Sequence, residues 1–373
     1  AIFVFILQWG ASLLSGNQFI TINIHNIEEA VRHIDFYDFL INGVICFILT
    51  SSALKFKVSD LRSYWKPISI LASIALVLCA VFFGVVLYGY QFIIGQHVDL
   101  LVLLLLGAAL GATDPIVIKG VLSSVRAPHH LMVKLEGESL FNDAMCIALF
   151  MTLLNVLQGE NFTVMGVLQT LLYEIFVAVI IGWAFGLGIL RLLRGKHEME
   201  SLILTTALLA CGSYLVALVA HASAPIACVI GGLIVGNKWK EILQEREIRE
   251  VNHFWHTVEG IINSFLFTLI GLELFILDLS FSLIFGGIVA FIILHASRFA
   301  ANYLSFAFFP SFRKKSYNGS LAILSWGGVR GGVSLALILA VANVPGLSED
   351  SSILIGYTFS AVLLSGMGCG LGF

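Results

Sequence analysis

The chain alternates long apolar runs with short polar connections from one end to the other. A hydrocarbon layer about 30 Å thick takes about 20 residues of helix to cross. By that measure the pattern predicts twelve spans, near residues 1–16, 34–54, 67–92, 97–125, 130–158, 164–193, 200–220, 224–238, 252–277, 281–309, 317–343 and 351–371. The eighth is short for a full crossing, and several others are long enough to tilt or to contain a break. No primary-sequence repeat stands out. Two spans nevertheless share one kind of interruption. The fourth contains Gly111-Ala112-Thr113-Asp114-Pro115, and the eleventh contains Gly327-Gly328-Val329-Arg330-Gly331-Gly332. Glycine and proline clustered at membrane depth predict broken helices that line a cavity or are buried in protein. Ordinary kinks and close packing also use glycine. An ionisable residue inside each break favours a substrate site of the kind found in inverted-repeat transporters.

Composition agrees with this picture. Residues are 59% hydrophobic and 12% charged, and mean hydropathy is +0.98. Soluble domains carry roughly a quarter charged residues, so lipid is the expected solvent and the fold class is an all-α polytopic membrane protein. A net charge of -3 offers no basic surplus for nucleic acid. The six cysteines stand singly in or near apolar stretches, without a C-x-x-C pair, and are expected to be small buried hydrophobes. The first residues lack the basic leader and cleavage site of a signal peptide. The chain starts without Met inside an apolar run and ends inside one, so sequence is expected to be missing at both ends of a single transmembrane domain, 1–373.

Charge orients the spans. One set of alternate loops holds Lys55, Lys57, Arg62 and Lys66; Lys119, Arg126 and Lys134; Arg191, Arg194 and Lys196; Lys238, Lys240, Arg246 and Arg249; and Arg313, Lys314 and Lys315. Only Arg32, in the opposite set, and Arg298 and Arg330, within spans, fall outside it. A wrong span count would scramble this separation. The basic side is therefore expected to be cytoplasmic. The other side carries Glu28, Glu29, Glu160, Asp278, Glu349 and Asp350.

An ionisable group at membrane depth marks function or a paired structural role. In the fifth span Ser139 and Asp143 are four residues apart, and Asn142 lies three on from Ser139, so the three share a helix face. They offer a hydroxyl, an amide oxygen and a carboxylate, hard oxygen ligands suited to Na⁺, with a carboxylate equally suited to H⁺. Glu138 lies about 140° away round the helix and needs a partner of its own. Arg330, permanently charged and set in the second break, is the expected one, giving a structural ion pair. Pro115 disfavours helix at Asp114. The freed carbonyl of Thr113 is a candidate cation ligand, and Asp114 is a candidate ligand or a cap on the broken helix ends. Structural roles are expected for Glu174, Glu259, Glu273 and Arg298, and an interfacial polar turn for His253 and His256.

At these residues the chain resembles the monovalent cation/proton antiporters of the sodium/proton exchanger type, the CPA1 (NhaP-like) branch. The likeness is carried by the 111–115 stretch, by Glu136-Gly137-Glu138-Ser139-Leu140-Phe141-Asn142-Asp143, by Phe254-Trp255 with Asn263 and Gly271-Leu272-Glu273, and by Ser325-Trp326 with the 327–332 glycines. The resemblance implies an NhaA-like fold of thirteen helices with inverted repeats, the first helix being absent here. The ion-translocating helices would be those near 97–125, 130–158 and 317–343. Asp143 would bind Na⁺ and proton in turn, beside Asn142 of the Asn-Asp pair typical of the electroneutral branch. Ser139 and the Thr113 backbone would add ligands, Asp114 would sit at the crossing of two broken helices, and Glu138 and Arg330 would pair. Some members carry a further acid on an early span. The corresponding stretch, 47–54, has none, and Thr50 or Ser51 is a candidate replacement ligand.

The function expected is electroneutral exchange of Na⁺, or another monovalent cation, for H⁺ by alternating access. The alternatives are a cation channel or a Na⁺-sensing membrane protein using the same carboxylate. The chain has no His-Glu-x-x-His helix, Gly-x-Ser-x-Gly elbow or Walker lysine, so an enzyme is not expected, and neither is a cofactor. The expected partners are the lipid bilayer and, by resemblance, a second copy in a homodimer. The expected location is the plasma membrane, or the inner membrane of a bacterium.

Overall fold

A computed structural model describes residues 44–114, 128–159, 163–195, 198–276, 281–308, 317–341 and 348–371. The expected span 1–16, Pro115 and the loop charges Glu28, Glu29, Arg32, Lys119, Arg126, Glu160, Lys196, Asp278, Arg313, Lys314 and Lys315 lie outside the described residues. So do the side chains of Glu273, Glu349 and Asp350.

Among the described residues all regular structure is helical. The helices are α1 (Ile45–Lys55), α2 (Val58–Ile70), α3 (Leu76–Ile93), α4 (Leu100–Ala109), α5 (His129–Leu157), α6 (Val164–Leu192), α7 (Met199–Val219), α8 (Ala224–Lys238), α9 (Glu245–Ile276), α10 (Phe281–Phe308), α11 (Tyr317–Trp326), α12 (Gly332–Val341) and α13 (Ser348–Leu371). Six stretches among the described residues are long and apolar enough to cross a membrane, the longest being the α2–α3 run Val58–Ile93. In lipid every backbone group must be satisfied within the protein, and helices do this span by span.

The third span departs from its predicted start near residue 67. Helix begins at Val58, kinks at Tyr64, passes Pro67 and runs through a wide turn at Leu71–Ala75 into α3. Hydropathy misses the first part because Ser59, Arg62, Ser63 and Lys66 face solvent. Asn237 of α8 fixes this entry: its Oδ1 accepts from Val58 N at 2.7 Å and its Nδ2 donates to Phe56 O at 3.0 Å.

The helices pack in two groups. In the first, α8 lies against α1, α6 and α7, and α9 packs on α1. Hydrophobicity does not drive helices together within lipid, so close backbone approach at small residues has to do so. A Cβ at Gly231 would stand 3.0 Å from Leu209 of α7, and one at Gly232 2.7 Å from Ala53 of α1. Polar links reinforce the group. Trp255 Nε1 donates to Thr206 Oγ1 at 3.0 Å, and Lys55 Nζ donates to Glu259 Oε2 at 2.6 Å. In the second group, α3 packs on α4 and α10, α10 on α11 and α13, and α12 on α13. Helix α5 stands between the groups, touching α2 and α4 on one side and α8, α6 and α1 on the other.

Candidate ion site at the crossing of two broken helices

Both predicted interruptions are present. After Ala109, α4 ends in a turn at Leu110 and Gly111, and Ala112–Asp114 are non-helical. After Trp326, the backbone is non-helical until α12 begins at Gly332. The two segments touch at one backbone bond, Asp114 N donating to Val329 O at 2.8 Å. A Cβ on Gly331 would stand 3.1 Å from Asp114 Cβ and 3.4 Å from its Oδ2. Asp114 therefore lies at the start of α12, where the orphan N–H groups concentrate positive charge and an acid is favoured.

Helix α5 lays one face across the first break. Asp143 Oδ1 accepts from Thr113 N at 3.2 Å. Ser139 Oγ donates to Thr113 O at 2.5 Å. Asn142 Nδ2 donates to Gly111 O at 2.7 Å and to Thr113 Oγ1 at 3.3 Å. Ser139, Asn142 and Thr113 are buried, whereas Asp143 keeps partial access. Asn142 Oδ1 is buried with no hydrogen-bond partner. The structure thus brings together Ser139, Asn142, Asp143, Thr113 and Asp114. A carboxylate, a free amide oxygen and two oxygens with unused lone pairs, Ser139 Oγ and Thr113 O, converge there.

The expected pairing of Glu138 with Arg330 is corrected. Glu138 Oε1 accepts from Arg298 Nη2 at 2.5 Å, and both residues are buried. Arg298 comes from α10 and reaches across Gly328, where a Cβ would stand 2.6 Å from its guanidinium carbon. On the way its Nε and Nη2 each donate to Leu324 O at 3.3 Å, a carbonyl in the last turn of α11. Arg330 is turned elsewhere. Its N–H donates to Ser365 Oγ at 3.0 Å, and its Nη1 donates to Gly111 O at 3.2 Å and Ala112 O at 3.4 Å. Each break thus has an arginine over the carbonyl end of its first half-helix, where the macrodipole is negative and the last carbonyls lack helical partners. In the sequence alone Arg298 reads as a structural residue without a named partner. The signal that could have found it is Gly328, a gap beneath a long side chain.

Thr50 and Ser51, the candidate replacement ligands, make contacts of their own. Ser51 Oγ donates to Glu259 Oε2 at 2.9 Å and to Trp255 O at 3.3 Å, and Thr50 packs against Gly232 of α8. Neither hydroxyl is hydrogen-bonded to Asp143. Ser51 is thereby tied into the contact between α1 and α9, while Thr50 Oγ1 is buried with no hydrogen-bond partner. Glu259 is held by Lys55 and Ser51. His253 and His256 lie on an exposed face of α9.

Two broken helices that meet beside a partly accessible carboxylate are the arrangement of a membrane ion carrier. The transmembrane sodium/hydrogen exchanger family matches residues 2–371, and the chain belongs to that family. It is 34% identical over 347 residues to the Na⁺/H⁺ antiporter NhaP of Pseudomonas aeruginosa, covering 91% of this chain and 80% of that protein. It is 30% identical over 353 residues to the Na⁺/H⁺ antiporter NhaH of Halobacillus dabanensis, covering 91% and 83%. The fold is similar to that of the sodium proton antiporter MjNhaP1 of Methanocaldococcus jannaschii at pH 8, with a TM-score of 0.74 at 18% identity, covering 90% of this chain and 84% of that one.

Proposed function

We propose that the chain exchanges Na⁺, or another monovalent cation, for H⁺ one for one across the plasma membrane, the inner membrane in a bacterium. The observation that carries this reading is the convergence of Asp143 with Thr113 and the unpartnered Asn142 Oδ1 at a helix break. A cation at Asp143 is ligated by the carboxylate together with Asn142 Oδ1, Thr113 O and Ser139 Oγ. Protonation removes the negative charge that holds it, so one carboxylate carries one ion or the other. Asn142 is neutral, so the pair presents a single titrating charge.

The cycle moves the loaded site in either form and never the empty one. No net charge then crosses, and the membrane potential, worth about 2.3 kcal/mol per charge per 100 mV, does no work on it. The ion gradients set the direction. The two-group packing gives the motion its parts. Helices α4, α5, α11 and α12 move as a body against the α1, α6, α7, α8 and α9 group, and Asp143, at the boundary, changes the side to which it opens. A homodimer belongs to the same proposal.

The test is internal pH in liposomes after a Na⁺ step. Asp143→Asn should reduce proton movement to the level of empty liposomes. Undiminished exchange in that variant removes Asp143 from the mechanism. A wild-type rate that changes strongly when the potential is clamped removes electroneutrality. Cation flux that persists without counter-moving protons identifies a channel.

A further inference from the structure

A second polar site lies outside the ion pathway. A cavity of about 540 Å³ opens between the last turns of α6, the end of α8 and the short Trp239–Glu241 turn, lined by Leu187, Leu190, Arg191, Arg194, Lys238, Glu241 and Ile242. Three cations and one acid line it, and no ion pair among the described residues ties these four charges down. Leu187, Leu190 and Arg191 fall at helical spacing on one face of α6, and Arg194 follows in the turn just past its end. From Leu187 to Arg194, over about 10 Å, the lining passes from apolar to basic. The neighbouring Leu192 is exposed, as are Leu204 and Leu208 of α7.

We infer that this cavity binds an anionic phospholipid of the leaflet on the basic, cytoplasmic side, with the phosphate between Arg191, Arg194 and Lys238 and an acyl chain along Leu187, Leu190 and Ile242. A soluble phosphate fits the cations but leaves the apolar wall unused. A zwitterionic lipid brings a positive group into a cavity of net positive charge. Basic pockets between transmembrane helices on the cytoplasmic side are suited to such head groups. The site belongs to the α6–α8 group and touches none of the ion-site residues, so its occupancy steadies the static group without entering the exchange chemistry.

The experiment is melting of the detergent-solubilised full chain with added phosphatidylglycerol, phosphatidylcholine or inorganic phosphate, together with titration of a fluorescent phosphatidylglycerol. Phosphatidylglycerol should raise the melting temperature by several degrees, and phosphatidylcholine and phosphate should not. Each neutralised cation should weaken binding about fivefold, so the triple variant R191Q/R194Q/K238Q should bind about a hundredfold more weakly. Glu241→Gln, which removes the one acid and keeps every cation, should bind more tightly, and it provides the test if the triple variant fails to fold. An equal shift with inorganic phosphate overturns the lipid assignment. Unchanged binding in both the triple variant and Glu241→Gln overturns the site.

Discussion

The two broken helices look alike in sequence and act differently in the fold. Each is a glycine-containing interruption with one ionisable residue. The first, at Gly111–Asp114, turns its backbone toward α5 and is held by Ser139, Asn142 and Asp143. The second, at Gly327–Gly331, makes room for arginines. Gly328 lets Arg298 through to Glu138, and Arg330 reaches over to the carbonyls of the first break. One break presents its backbone oxygens to α5; the other brings arginines to Glu138 and to the carbonyls of the first break. An ionisable residue in a helix break is therefore not by itself an ion ligand. Its role depends on which half-helix end it reaches.

The largest expected effect tests the arginine pairing. Glu138→Gln leaves Arg298 buried without its acid and should cost about 3–5 kcal/mol, read as a fall in the melting temperature of the solubilised protein. Combining it with Arg298→Met should restore most of the loss, because both charges are then gone. Combining it with Arg330→Met should only add to the damage. Recovery with Arg330→Met instead would reverse the assignment.

That pairing also marks the limit of what the sequence could tell. The membrane class, the two breaks and the shared face of Ser139, Asn142 and Asp143 were legible, because lipid forbids unsatisfied backbone and helical spacing fixes which residues on one helix are neighbours. Which of two buried arginines meets Glu138 was not. It depends on how α10 crosses the second break, a tertiary relation between Arg298 and a glycine thirty residues on. The start of α2 was hidden for the opposite reason: Arg62 and Lys66 make its exposed turns too polar to register as part of a span. Position along the chain makes Thr50 and Ser51 candidates; their contacts with α8 and α9 depend on how α1 packs.

Next in size is the gap beneath Arg298. Gly328→Ala places a methyl 2.6 Å from the guanidinium carbon and should cost about 1–3 kcal/mol by overpacking. Gly89→Ala, with nothing within 4 Å, should cost nothing measurable. Equal melting temperatures for the two variants would mean that Arg298 does not cross there.

Smaller effects separate the ion site from the α1–α9 contact. Ser139→Ala removes one hydrogen bond to Thr113 O and should cost about 1 kcal/mol; half-saturating Na⁺ should rise about fivefold if the hydroxyl also ligates the ion. Ser51→Ala should cost about 1 kcal/mol or less and leave half-saturating Na⁺ unchanged. A matching rise in the Ser51 variant would return that hydroxyl to the ion pathway.

The central claim is that one carboxylate, Asp143, holds either the cation or the proton. The most direct measurement is the Na⁺ dependence of exchange in liposomes over a series of pH values. On the competitive side, half-saturating Na⁺ should rise about tenfold for each tenfold rise in proton concentration, by mass action at one site, while the limiting rate at saturating Na⁺ stays constant. A limiting rate that falls with pH at constant half-saturation would place proton and cation on different groups, and would contradict the account.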